Sequence, residues 1–119
     1  MGFFDREIDI TRNIKMIEWL KSELLTDIAA LFKELVNGVK DDAQDILADT
    51  LSNLIVICYL LAKRLGISYN TVDLKMENKL KLGILENHEL EKWYGDLSEL
   101  SKHLHSTRNN NKLNGNFRK

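Results

Sequence analysis

Apolar residues recur along most of the chain at spacings of three and four, the period of helices with one covered face. The densest stretch is Ala43 to Ile67. Its centre, Leu54-Ile55-Val56-Ile57-Cys58-Tyr59-Leu60-Leu61-Ala62, is nine consecutive apolar or aromatic residues. A run that short fits a buried strand or a buried helix. Ile46, Leu47 and Leu51 upstream and Leu65 downstream keep the helical spacing, and Gly66 is a natural stop. A helix apolar on several faces needs covering on several sides. The segment therefore reads as the central helix of an all-α bundle, covered by its own chain and by a second copy in a dimer or larger homo-oligomer. The run is well short of the ~20 residues that span a bilayer, and Asp49, Lys63 and Arg64 flank it, so no membrane is expected.

Four to five helices follow from the same pattern. Residues 1–8 read as a short leader. A first helix starts near Asp9 or Thr11, with Ile10, Ile14, Ile17 and Leu20 as its stripe. Ser22 reads as the start of a second, with Glu23 in its favoured first turn, although nothing there forbids a continuous helix. Leu24, Leu25, Ile28, Leu31, Phe32, Leu35 and Val36 form the next apolar face, and Asn37-Gly38 ends it. After Gly66, Ser68 or Asn70 caps a fourth helix that ends at Gly83. Asn87 caps a fifth, with Leu90, Trp93, Tyr94, Leu97, Leu100 and Leu104 as its stripe. Gly95 weakens that helix by about 1 kcal/mol without having to break it. The period stops at Ser106. This gives a helical domain over 9–105 and a disordered, mildly basic tail over 106–119.

Composition narrows the setting. Across 119 residues there is no proline and only one cysteine, Cys58, so no intramolecular disulfide forms. Cys58 reads as a core residue. Met1-Gly2-Phe3-Phe4 is followed at once by charged residues, which is not a signal peptide, and a cytoplasmic location is the default. The net charge of −1 offers no field for nucleic acid. In the tail, Arg108, Lys112, Arg118 and Lys119 are joined by one aromatic ring, Phe117, a thin basis for nucleic-acid contact.

Candidate chemistry is sparse. His103 and His105 are two apart and point to different faces of a helix. The carboxylates are more informative. Glu23 and Asp27 share a face, with Glu34 two turns further, and Asp45, Asp49 and Asn53 follow one another by single turns. If their helices pack antiparallel, these oxygens converge on a surface of the kind that Mg²⁺ uses together with phosphate and water. The rival reading is that the acids complement helix dipoles on a solvated face.

Asn13-Ile14-Lys15-Met16-Ile17-Glu18-Trp19-Leu20-Lys21-Ser22-Glu23-Leu24-Leu25 and Cys58-Tyr59-Leu60-Leu61-Ala62-Lys63-Arg64-Leu65-Gly66-Ile67-Ser68 resemble the MazG-like family, as do Lys75-Met76-Glu77-Asn78-Lys79-Leu80 and Glu91-Lys92-Trp93-Tyr94-Gly95-Asp96-Leu97. That family lies within the all-α nucleoside triphosphate pyrophosphohydrolases, and the likeness is to its small stand-alone proteins of spore-forming bacteria. The resemblance implies a MazG-like helical bundle. It also implies a Mg²⁺ site built from Glu-Glu-x-x-Glu on one helix and Glu-x-x-Asp on the next. The metal would bridge a triphosphate to the carboxylates while water cleaves between the α and β phosphates.

Here the sequence departs from the family. The place of Glu-x-x-Asp falls on Thr50-Leu51-Ser52-Asn53, and that of Glu-Glu-x-x-Glu on Thr26-Asp27-Ile28-Ala29-Ala30. Of five expected acids only Asp27 remains. Metal-site candidates are Asp27, Asp49, Asn53, Thr50 and Glu23. Asn78, Lys79 and Lys81 stand where the family often has phosphate-facing polar residues. The expected function is a MazG-like protein with a degenerate metal site that binds a nucleotide or a protein with little or no turnover. The alternatives are an active Mg²⁺-dependent pyrophosphohydrolase and an oligomeric scaffold with a nucleic-acid-contacting tail.

Overall fold

The structure is a computed structural model that describes the backbone of residues 3–36 and 41–117 and the side chains of residues 5–36 and 43–109. Among these residues there are five helices and no strand. They are α1 (Phe3–Val36), α2 (Asp41–Arg64), α3 (Tyr69–Leu85), α4 (Glu89–Tyr94) and α5 (Asp96–Phe117). The Asn37-Gly38 stop and the side chains of Asp41 and Asp42 lie outside the described residues.

The chain divides into two compact units, Met1–Val72 and Asp73–Lys119, where the apolar pattern leads one to expect a single domain. In the first unit α1 is one continuous helix of 34 residues. It takes in most of the expected leader and passes through Ser22 unbroken. No glycine or proline interrupts Phe3–Val36, and the Ser22 carbonyl accepts the Thr26 hydroxyl at 2.9 Å while the helix runs on. At 1.5 Å per residue α1 is about 50 Å long.

α2 runs antiparallel to α1. The residues of α1 that lose solvent are Asn13, Ile17, Leu20, Glu23, Leu24, Asp27, Leu31 and Glu34. On α2 they are Ala43, Leu47, Thr50, Leu54, Ile57, Tyr59, Leu61 and Ala62. Apart from Glu23, Tyr59 and Ala62, both sets step by three and four, the spacing of a two-helix seam. The Asn13 side-chain amide donates to the Arg64 carbonyl at 3.0 Å and fixes the register. Continuing that register brings Leu20 level with Ile57 and Asp27 level with Thr50. Leu20 is only 3% exposed, and among the described residues Ile57 and Ala62 are the other buried apolar ones.

The loop after α2 positions Tyr69. Gly66 takes φ +84°, the left-handed conformation that costs glycine nothing. Its N–H donates to Lys63 O at 3.1 Å, and Ile67 N–H donates to Ala62 O at 2.8 Å. Ser68 then caps α3 by accepting Thr71 N–H at 3.1 Å. This tight turn folds Tyr69 back onto the last turns of α2. Its ring meets Tyr59 edge-on at 6.0 Å, and the Lys63 ammonium stands over it at 5.8 Å.

The second unit differs from expectation at three points. α3 runs past Gly83 to Leu85. Asn87, expected as a cap, takes φ +53°, and His88 does the capping, its Nδ1 accepting Leu90 N–H at 3.1 Å. Gly95 does break the expected fifth helix. It takes φ +67° and closes α4, and α5 begins at once. The side chain of Glu91 bridges that break. Its carboxylate accepts the Ser98 N–H at 2.9 Å and the Ser98 hydroxyl. Hydrogen bonds from Ser98, the hydroxyl first and the backbone second, hold Glu91 below the usual carboxylate range.

A carboxylate with a depressed folded pKa stabilises the fold above its ordinary value of 4.5, and the contribution is lost as pH falls through the folded value. Glu91→Gln is therefore expected to lower the melting temperature at pH 7. The gap from the parent should narrow as pH drops below about 4.5. A gap independent of pH would show that the carboxylate charge does not hold α5.

The tail expected to be disordered continues as helix through Phe117. Its first turns are tied to α3. Glu77, half-buried, meets His105 Nε2 at 2.8 Å and Arg108 Nη1 at 3.5 Å. Truncation after His105 keeps the first pair and removes the second. The expected loss is less than about 1 kcal/mol, the value of an exposed ion pair. A thermal melt showing several times that would mean the rest of the tail packs on the unit.

α2 also changes the membrane argument. The nine-residue run is short, but it lies in a helix, Ala43–Arg64, of 22 residues that contains an 18-residue window of mean hydropathy 1.6, long and apolar enough to cross a bilayer. Length and composition alone make this weak evidence, because core helices of soluble proteins meet the same test.

Candidate functional site

The seam of the α1–α2 hairpin has two flanks. Helical-wheel positions put Ile14, Leu25, Ile28, Phe32 and Leu35 of α1 on one flank, and Leu51, Ile55 and Cys58 of α2 on the same side. These side chains are exposed: Leu25 by 71%, Phe32 by 64% and Ile55 by 59%. Cys58, expected in the core, is among them. The opposite flank carries Met16, Trp19, Glu23, Asp27 and Ala30 on α1 and Asn53 and Leu60 on α2.

The expected metal ligands divide accordingly. Asp27 and Glu23 are half-buried at the edge of the seam, one turn apart. Thr50 is level with Asp27, and its hydroxyl donates to Ile46 O at 2.9 Å. Asn53 is exposed on the same flank. Asp49 is exposed on α2, one turn before Asn53, and lines a shallow groove with Asp45 and Ser52. Ala30, at the place of a family acid, is exposed and has no oxygen on its side chain. Among the described residues no three His, Cys, Asp or Glu side chains gather closely enough to hold a metal ion. At the Asp27 level the donor set is one carboxylate and neutral oxygens, a poor fit to Mg²⁺, which gives up its water reluctantly.

About two turns from Asp27 on the same flank lies a groove of about 290 Å³. Met16, Trp19, Leu20, Leu60, Lys63, Arg64 and Tyr69 line it. It combines two aromatic rings with two cations. The apolar period gives no sign of it, since Trp19 lies beside the stripe of Ile10, Ile14, Ile17 and Leu20 and Lys63-Arg64 reads as a flank of the apolar run. The available signal was the Gly66-Ile67-Ser68 turn, which is short enough to return Tyr69 to α2.

The second unit has its own groove, about 380 Å³ and mostly apolar, lined by Met76, Lys79, Leu80, Gly83, His88, Leu90, Leu97 and Leu100. Gly83 permits the close approach of α3 and α5, because a Cβ there would meet Leu97 Cδ1 at 2.7 Å. Of the expected phosphate-facing residues, Lys79 lines this groove, and all three of Asn78, Lys79 and Lys81 are exposed.

The hairpin, its Asn13–Arg64 register and the α3–α5 unit together cover the region in which the sequence matches a known family. The match is to the MazG-like family over residues 10–97. The chain belongs to the MazG-like family. Its matched region starts within α1 and ends just inside α5, so it covers most of the first unit and part of the second. The same comparisons find no matching curated protein and no matching solved structure.

Proposed function

We propose that this MazG-like protein has a degenerate metal site and works as a homo-oligomeric, cytoplasmic nucleotide-binding or protein-interacting module with little or no pyrophosphohydrolase turnover. The observation that carries this reading is the Asp27–Thr50 level of the seam. Pyrophosphohydrolysis needs a cation held by several carboxylates, because a triphosphate is repelled by acids unless metal lies between them. Here Asp27 stands with a threonine hydroxyl, an asparagine and a methyl group at the matched places, and Asp49 is exposed in a groove that Asp27 does not line.

One observation favours the active enzyme. Glu23 and Asp27 both sit at the seam, one turn apart, and a shifted register would recruit them. Nothing comparable favours the nucleic-acid tail, whose first cation, Arg108, is paired with Glu77. Calorimetry with a panel of nucleoside triphosphates, with and without Mg²⁺, followed by a pyrophosphate-release assay on the same sample, tests the reading. The expected result is release at background, with any nucleotide binding insensitive to Mg²⁺. Release well above background that Asp27→Asn abolishes would establish the enzyme instead.

A further inference from the structure

We infer that the groove between Trp19 and Tyr69 is a metal-independent nucleotide site, with the base against Trp19 and the phosphate at Lys63 and Arg64. This rests on the nucleotide-binding half of the proposed function and gives it a location away from the carboxylates.

Three features converge on that ligand. The groove offers flat surfaces: Trp19 is 54% exposed on α1, and Tyr69 is exposed across from it. Every base has a π-face that stacks on such rings. It also offers positive charge. Lys63 and Arg64 line the groove, and among the described residues neither is ion-paired with an acid. The Tyr69 ring holds the Lys63 ammonium in place, so that cation is positioned before any ligand arrives. Finally, the size fits. A volume of about 290 Å³ is at the small end for ligand pockets, enough for a base and part of a sugar. The phosphates would remain at the rim, where the two cations are.

The bland account is that Lys63 and Arg64 complement the negative end of α2. That accounts for the charges. It does not account for a tryptophan and a tyrosine left exposed around them.

The site is testable on the full chain. In a Trp93→Phe background, Trp19 is the remaining tryptophan and reports on the groove. ATP, AMP, adenosine and inorganic pyrophosphate are titrated in EDTA. ATP and AMP should quench Trp19 saturably, while adenosine and pyrophosphate, each carrying half of the recognition, bind at least tenfold more weakly. Lys63→Gln with Arg64→Gln should weaken AMP binding tenfold or more, and Tyr69→Leu several-fold. Circular dichroism confirms that these surface variants stay helical. If calorimetry detects nucleotide but the Lys63/Arg64 variant binds it as the parent does, the groove is not the site and nucleotide binding lies elsewhere. If no nucleotide binds, both this site and the nucleotide-binding reading fall. A single-stranded oligonucleotide bound more than tenfold tighter than AMP would overturn a free nucleotide as the occupant.

Discussion

At micromolar concentration the chain is expected to run as a dimer or larger in light scattering, and a single acid on the exposed apolar flank should dissociate it. Leu25, Ile28, Phe32, Leu35, Leu51 and Ile55 line that flank of the α1–α2 hairpin, and all are exposed. Fully burying such a side chain is worth about 1.5–3 kcal/mol, so half-exposed ones retain roughly 1 kcal/mol each to be gained. Two copies meeting through the same flank double the number of side chains. The gross gain, on the order of 10 kcal/mol, is comparable to the cost of association. That places the complex in a range where one change decides its state. Phe32→Glu or Ile55→Glu removes one large apolar contact and introduces a charge beside its symmetry mate. Either should shift the dissociation constant by a hundredfold or more, because burying an unpaired carboxylate costs several kcal/mol. Lys15→Glu, exposed on α1, is the control and should leave association unchanged. A parent chain that is monomeric would refute the prediction and mean that the flank is covered in cis. A chain recovered only with membranes or detergent would refute it too, and would give α2 a bilayer rather than a second copy.

The helices were legible because period and flanking glycines agreed. Leu54, Ile57 and Leu61 mark the covered face of α2 by their spacing alone. What sequence could not separate was continuity from interruption. Ser22 is as good inside a helix as at its start, and only the packing of α1 from Asn13 onward against α2 decides for continuity. Gly95 was the reverse case. A helix tolerates one glycine, but here the Glu91 carboxylate caps the next helix across the break, a contact seven residues apart with no periodic signature. Cys58 and Ile55 misled because an apolar run says how much must be covered and not by what. The candidate site was legible only in part. Asp27 and Thr50 fall level as an antiparallel seam requires, while the face on which Asp49 lies depends on which side of α2 meets α1. The groove at Trp19 needed the turn at Gly66 to bring Tyr69 back, and that depends on a backbone conformation that no side-chain pattern records.

The second large effect concerns the seam itself. In the absence of nucleotide the parent chain is expected to bind Mg²⁺ no tighter than roughly millimolar, since Asp27 offers one carboxylate and the level Thr50 a neutral oxygen. Ala30→Glu, Thr50→Glu and Asn53→Asp together place three further acids beside it. Ala30 and Asn53 lie on the flank of the hairpin that holds Asp27, and Thr50 is level with it, so the new carboxylates face one another across the seam. Without metal they repel, and the triple variant should melt below the parent, by more at low salt than at high. With Mg²⁺ that repulsion becomes the binding site. The expected result is a melting temperature that recovers with added Mg²⁺ and a cation affinity at least tenfold above the parent's. Asp27→Asn in the triple variant should abolish the gain. Asp27→Asn in the parent should do little to activity and is expected to hold or raise stability, because it removes a half-buried charge. If the triple variant gains no Mg²⁺ affinity while remaining helical, the register that sets Asp27 against Thr50 does not form a metal site. If the unaltered chain binds Mg²⁺ tightly and Asp27→Asn removes that binding, the site is intact and the degenerate reading fails.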